Sequence, residues 1–259
     1  MYTLFLDETN SQYTKINNFF IYGGIFFPLD IAHLLHKKII EIREKAGFKP
    51  NDLFKFETHS RPSSVSETAF AQAKDNLINT CIENRVLFIV YIVHHKIALR
   101  HSLQKRIEWA SDEIINEFDC FLKTQKDYGT VVFDRLPFKG EFQHIVKIFN
   151  SGITTATLNN APHIPTNIVG YFISAAGASH FASATDIILG AFRYCVNIAG
   201  NSMVAKKMFP NVLKLMYGYI DSKGNKNVSD LGLLIRPYNN LAYQKEYKEL
   251  TDKLNSFLK

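Results

Sequence analysis

Two aspartates carry the chemistry this sequence offers most directly. Asp7 closes the apolar run Tyr2 to Leu6, and Asp134 closes the run Thr130 to Phe133. In open α/β sheets ligands bind in the crevice outside the carboxyl ends of the strands, so two such carboxylates converge if their strands are neighbours. Glu8 adds an acidic group beside the first, although adjacent residues of an extended chain point to opposite faces. Asp186 is a further candidate, the only acidic residue between Glu141 and Asp221, in the stretch SHFASATDIILGAF. On a helical wheel it falls opposite the apolar face of Phe181, Ala184, Ile188, Phe192 and Cys195, on the side of Ser183, Gly190, Arg193 and Asn197. Two readings stay open there: a solvated or Arg193-paired aspartate, or a ligand if that side overlooks the sheet edge.

Carboxylates clustered without cysteine or paired histidine favour hard Mg²⁺ or Mn²⁺ over zinc. Two such ions about 3.5–4 Å apart drive in-line displacement at a phosphodiester, one activating water and the other stabilising the leaving oxygen. Lys55, in the polar loop Lys49 to Ser64 with Glu57 and His59, would then neutralise charge on the transition state; its alternative is a solvated loop lysine. His59 is the one histidine suited to proton transfer there. His33 and His36 lack a third ligand, and His94-His95 at a strand end point apart. No GxxxxGK[ST], no GxGxxG after a strand and no GxSxG occurs, which sets aside phosphate-loop motors, Rossmann oxidoreductases and α/β-hydrolases.

The elements that must position these groups read as alternating strands and helices. Tyr2 to Leu6 is a short strand, and Phe19 to Phe27 a second, with Gly23-Gly24 marking a bulge or a close backbone approach. Asp30 is placed to cap a helix with Ile31, Leu34, Leu35, Ile39 and Ile42 on one face, stopped by Gly47. A helix over Ser66 to Asn84 precedes VLFIVYIV, Val86 to Val93, apolar at every position and so a strand covered on both faces. A helix through Ile107, Ile114, Phe118 and Leu122, the strand to Asp134, a helix near Phe138 to Asn150, a strand over Asn167 to Ile173 and a helix from Ser179 to Ala199 complete an α/β sandwich. Beyond it, Met203 to Tyr217 reads as helix, Ser222 to Asn225 as a turn, and the end as an amphipathic helix with Tyr243, Tyr247, Leu250, Leu254 and Phe257 on its stripe.

The chain has 259 residues, one large domain or one and a half, with 30 Lys plus Arg against 24 Asp plus Glu. Residues 1–202 carry 20 basic and 19 acidic side chains, residues 203–259 carry 10 and 5, so nearly all of the net charge of +6 sits at the end. A basic segment on a neutral body suits a phosphate-bearing partner, and a solvated Lys-rich helix is the bland alternative. Cys81, Cys120 and Cys195, far apart and odd in number, form neither a disulfide framework nor a zinc knuckle and read as buried thiols. No run approaches a membrane span, and Asp7-Glu8 arrives too early for a signal peptide, so the expected address is cytoplasmic.

Taken in order, FLDET with the following FIYGGIFF, Lys55 in DLFKFE, VVFDR around Asp134 and ATDIILGA around Asp186 resemble domain-of-unknown-function family 3800, across about residues 3–195. The resemblance implies a ribonuclease H-like mixed sheet flanked by helices, whose members use carboxylates on the first strand, a central strand and a late helix to bind two divalent ions. Asp7, Glu8, Lys55, Asp134 and Asp186 match that pattern; Thr9-Asn10 stands where Ser-Gly is usual and Ser183 where the late helix usually carries Gln. The organisation expected is a ribonuclease H-like domain over 1–200 with a basic, mainly helical C-terminal extension over 201–259, outside the resemblance, packed on it. The implied activity is a two-ion, Mg²⁺- or Mn²⁺-dependent nuclease or related phosphoryl-transfer enzyme on nucleic acid. Asp7, Asp134 and Asp186 would be metal ligands, Glu8 an auxiliary ligand or base, and Lys55 a phosphate contact. The rival is a non-catalytic member of the same fold that binds nucleic acid or a protein partner.

Overall fold

The computed structural model describes residues 1–9, 18–135, 140–155, 161–174, 177–197, 203–237 and 241–258, with side chains in the last helix to residue 256. Six strands form one mixed sheet: β1 (Tyr2–Thr9), β2 (Phe19–Pro28), β3 (Leu87–His94), β4 (Gly129–Asp134), β5 (Ile168–Ser174) and β6 (Leu233–Arg236), in the order β6-β3-β2-β1-β4-β5. β1 pairs antiparallel with β2 and β2 with β3, whereas β4 runs parallel to β1, β5 to β4 and β6 to β3. β1, β3, β4, β5 and β6 therefore all end at the same edge. β3 is buried along its length after Leu87, as its unbroken apolar text requires of a strand covered on both faces.

Among the described residues, seven helices longer than one turn flank the sheet: α1 (Ala32–Ala46), α2 (Glu67–Glu83), α3 (Leu103–Gln125), α4 (Glu141–Ser151), α5 (His180–Asn197), α6 (Met203–Leu215) and α7 (Gln244–Leu258). Strand alternation divides the core. Phe5, Ile21, Ile25 and Phe27 face a layer built by α1, α2, α5, α6 and α7, while Leu4, Leu6, Phe20, Tyr22 and Phe26 face α3 and α4. β2 carries no bulge at Gly23-Gly24. The register with β1 is continuous, and a Cβ at Gly24 would lie 1.9 Å from the Phe5 carbonyl oxygen, so a close backbone approach explains that glycine.

Some expected details differ. Asp30 does not cap α1; it lies in a 3-10 turn, Leu29–Ile31, that feeds the helix, and Leu34 is 46% exposed rather than on the apolar face. Gly47 ends α1 in the left-handed conformation, φ 89°, as expected. Cys81 and Cys195 are buried but Cys120 is exposed.

The boundary expected at residue 200 falls in 198–202, outside the described residues. The chain that follows is more than a helical addition. α6 and α7 contribute Phe209, Val212, Leu250 and Leu254 to the main core, and Leu233–Arg236, which has no periodicity of its own, adds strand β6 beside β3. A two-stranded hairpin, Tyr219–Ile220 with Lys226–Asn227, sits between them at the expected turn. Tyr247 ties this segment down: its hydroxyl accepts from the His94 N–H at 2.8 Å and donates to the Arg236 carbonyl at 2.7 Å. Leu250 and Leu254, on the same stripe of α7, are buried as expected, whereas Phe257 lies outside the described side chains.

Candidate functional site

Asp7 shares its face of β1 with Phe5, and Asp134 shares its face of β4 with Val132, opposite Val131 and Phe133, so both point toward the layer that holds α5. The β1–β4 pairing runs in register to Leu6 and Phe133, one residue short of the two aspartates. Asp186 arrives on the same face from α5. Asp7, Lys55, Asp134, Ser183 and Asp186 all line one cavity of about 20 Å³, room for about one water-sized particle. A polar recess of about 270 Å³, lined by Arg43 and His180 among others, borders it through Leu53, Phe54, Gly177 and Ser183.

The helical wheel sets Asp186 away from the apolar face, and the structure shows what lies there: a loop covers the polar side of α5. The Phe56 N–H donates to Asp186 Oδ2 at 2.6 Å, and Arg193 pairs with Glu57. Lys74 Nζ donates to the Phe56 carbonyl at 3.1 Å and lies 4.9 Å from its ring centroid. Gly190 makes room for this contact, since a Cβ there would stand 2.5 Å from Phe56 Cβ. The strap so pinned carries Lys55, half-buried, to the cavity.

Burial raises these acids, and like charge adds to it at Asp7. Burial, then Asp186, Glu8 and Asp134, hold the Asp7 carboxyl well above its ordinary range, against one lowering hydrogen bond from the Glu8 N–H to Oδ1 at 2.8 Å. Asp134 and Asp186 are raised by burial, with Lys55 opposing both. Asp134 Oδ1 is buried and has no hydrogen-bond partner among the described residues. Glu8 does not line the cavity. It pairs across from Tyr22 on the other face, and burial with the Asp134 charge lifts its carboxyl to about 7. His59 is exposed and does not line the cavity. Asn10 and Lys259 lie outside the described residues.

The donor set is all oxygen and includes an orphaned buried carboxylate oxygen, which fits a hard divalent ion by chemistry. Among the described residues, no three His, Cys, Asp or Glu side chains stand close enough together to hold a metal ion.

Part of the basic C-terminal segment is engaged in holding the fold. Lys253 Nζ donates to the Cys195 carbonyl and, at 3.4 Å, to that of Val196, capping the C-terminal end of α5. Lys226 Nζ likewise meets the Lys214 carbonyl, 2.8 Å, at the end of α6, and Lys207 pairs with Asp75. Arg236 is buried between Glu113 and Asp230. Of the α7 lysines, Lys245 and Lys248 are exposed, while Lys253 is turned inward; sequence spacing holds no signal for a cap that spans 57 residues.

No family model and no curated protein matches the chain. Among the described residues no helix is long and apolar enough to cross a membrane.

Proposed function

We propose that the protein cleaves or transfers a phosphodiester of nucleic acid, with a ribonuclease H-like core and Mg²⁺ or Mn²⁺ that would draw Asp7, Asp134 and Asp186 closer together than they stand without it. The observation that carries this reading is the single cavity in which three carboxylates from distant parts of the chain meet Lys55. Their delivery by a first strand, a neighbouring strand and a late helix is the arrangement that the resemblance to family 3800 implies. Buried like charges cost stability, and such an arrangement is characteristic of sites that work on charge. The ions, when bound, would supply an activated water and stabilisation of the leaving oxygen.

The chain's own groups have separate tasks. Asp186 is fixed by the Phe56 N–H, so one carboxylate is oriented before any ligand arrives. Lys55 brings a positive charge to the side of the cavity where a phosphate would develop negative charge. Glu8, with its carboxyl near neutrality on the other face of β1, is suited to hold a proton rather than to share the ligand set.

The test uses labelled single- and double-stranded DNA and RNA oligonucleotides with Mn²⁺, alongside melting curves with and without the ion. Wild type is expected to cleave at least one of them and to gain Tm from Mn²⁺, and Asp7→Asn to lose both effects. Binding without cleavage, with no metal effect on Tm, would support instead a non-catalytic binding protein.

A further inference from the structure

On the opposite face of the sheet, at the same carboxyl edge, lies a cleft of about 360 Å³ that shares no lining residue with the carboxylate cavity. Its size falls in the range of about 300–1,000 Å³ typical of small-molecule sites. The end of β3 supplies Tyr91 and Val93, the short helical turn after it supplies Ala98, and α3 supplies Arg106 and Trp109. Most of the exposed lining is apolar. Trp109 is 37% exposed, an indole left half in water at the wall of a cleft, where an aromatic ligand would gain area and ring contact together.

The polar groups give the cleft a second requirement. Two guanidinium groups line it against one carboxylate, and all three are buried: Arg106 at 8%, Arg236 at 6% and Glu113 at 6% exposed. Glu113 Oε2 engages Arg236 twice, 3.0 Å from Nε and 2.9 Å from Nη2, and Asp230 takes its other edge. Arg236 is thereby a fixed part of the floor. Arg106 lies over Phe20, 5.4 Å from the ring centroid, and a guanidinium has five N–H donors, so it can meet a ligand oxygen alongside its other contacts. Lys105, paired with Glu108 at 3.4 Å, lies 5.3 Å from the Trp109 ring centroid.

We infer that this cleft is a binding site for a small planar aromatic anion, its ring against Trp109 and its charged group toward Arg106. The inference is independent of the phosphodiester reading.

Trp109 is the only tryptophan of the chain, so its emission reports on the cleft without labelling. The probes are adenosine 5′-monophosphate and benzoate, which present the same chemistry through a phosphate or a carboxylate, with adenosine and inorganic phosphate as the ring alone and the charge alone. A saturable change in emission is expected with at least one of the two ring anions, and which one responds identifies the charged group. Loss of the charge should weaken binding about tenfold or more, whether from the ligand or in Arg106→Gln. Ala98→Leu, which fills the cleft and leaves its charges, should abolish the response, and Asp7→Asn should leave it unchanged. No saturable change with either ring anion, equal binding of adenosine and its monophosphate, or undiminished binding in a folded Ala98→Leu protein would overturn the assignment.

Discussion

At one edge of the sheet, Asp7, Asp134 and Asp186 share a cavity in which a single lysine opposes three carboxylates, whereas on the other face Arg236 is clasped between Glu113 and Asp230. Both clusters are largely buried and both are reached by strand ends. The second is resolved internally: each buried charge meets an opposite one at hydrogen-bond distance. The first is not, since burial and the neighbouring acids raise Asp7 and one carboxylate oxygen has no partner among the described residues. The fold thus pairs its charges closely in one place and leaves a buried carboxylate oxygen without a described partner in the other, the condition common at sites that work on charge.

The largest effect is expected from breaking the resolved cluster. Arg236→Ala removes the guanidinium that engages the buried Glu113 carboxylate twice, and should cost about 3–5 kcal/mol in urea unfolding. A loss under about 1 kcal/mol would mean that Glu113 is hydrated or neutral, and the contrast between the clusters would fail.

The opposite sign is expected in the unresolved cluster. Burial and like charge hold the Asp7 carboxyl above its unfolded value, so the stability it contributes is present below the ordinary aspartate range and lost as pH rises through the raised value. Asp7→Asn should therefore stabilise the metal-free protein at about pH 7 by on the order of 1–2 kcal/mol. Destabilisation there would show that Asp7 holds the fold together rather than straining it.

The smallest effect sharpens the boundary of the resolved cluster. Burial, then the Asp230 charge, raise Glu117 to about 7, with Arg236 opposing. The stability tied to this group is complete below the ordinary glutamate value of 4.5 and is lost as pH rises through about 7. Melting curves from about pH 4 to 8 should fall less steeply for Glu117→Gln than for wild type; parallel curves would place Glu117 in water, outside the cluster.

Much of this is legible in the sequence, for physical reasons that also set the limits. Asp7 and Asp134 follow short apolar runs whose ends are visible without a structure, and VLFIVYIV admits little but a strand covered on both sides. Asp186 is ambiguous there because a helical wheel locates a polar side but says nothing of what lies over it; in the folded chain a loop 130 residues away does. Strand β6 escapes sequence reading because four residues between turn-formers show no period, and their pairing with β3 is a long-range event. The basic count of residues 203–259 is right as charge, but a lysine capping a helix and one facing water have the same sequence.

The pairing of β6 with β3 has a consequence for the order in which the molecule is made. All three carboxylates of the cavity have been synthesised once residue 186 is added, yet β3 lies open along one side until residues 233–236 follow. Over that interval the nascent chain carries an unprotected strand edge of almost wholly apolar sequence, the kind of surface on which chains associate with one another. That edge is closed only by a segment synthesised well after the carboxylates of the cavity, so fragments that stop before residue 233 should be soluble only at low concentration.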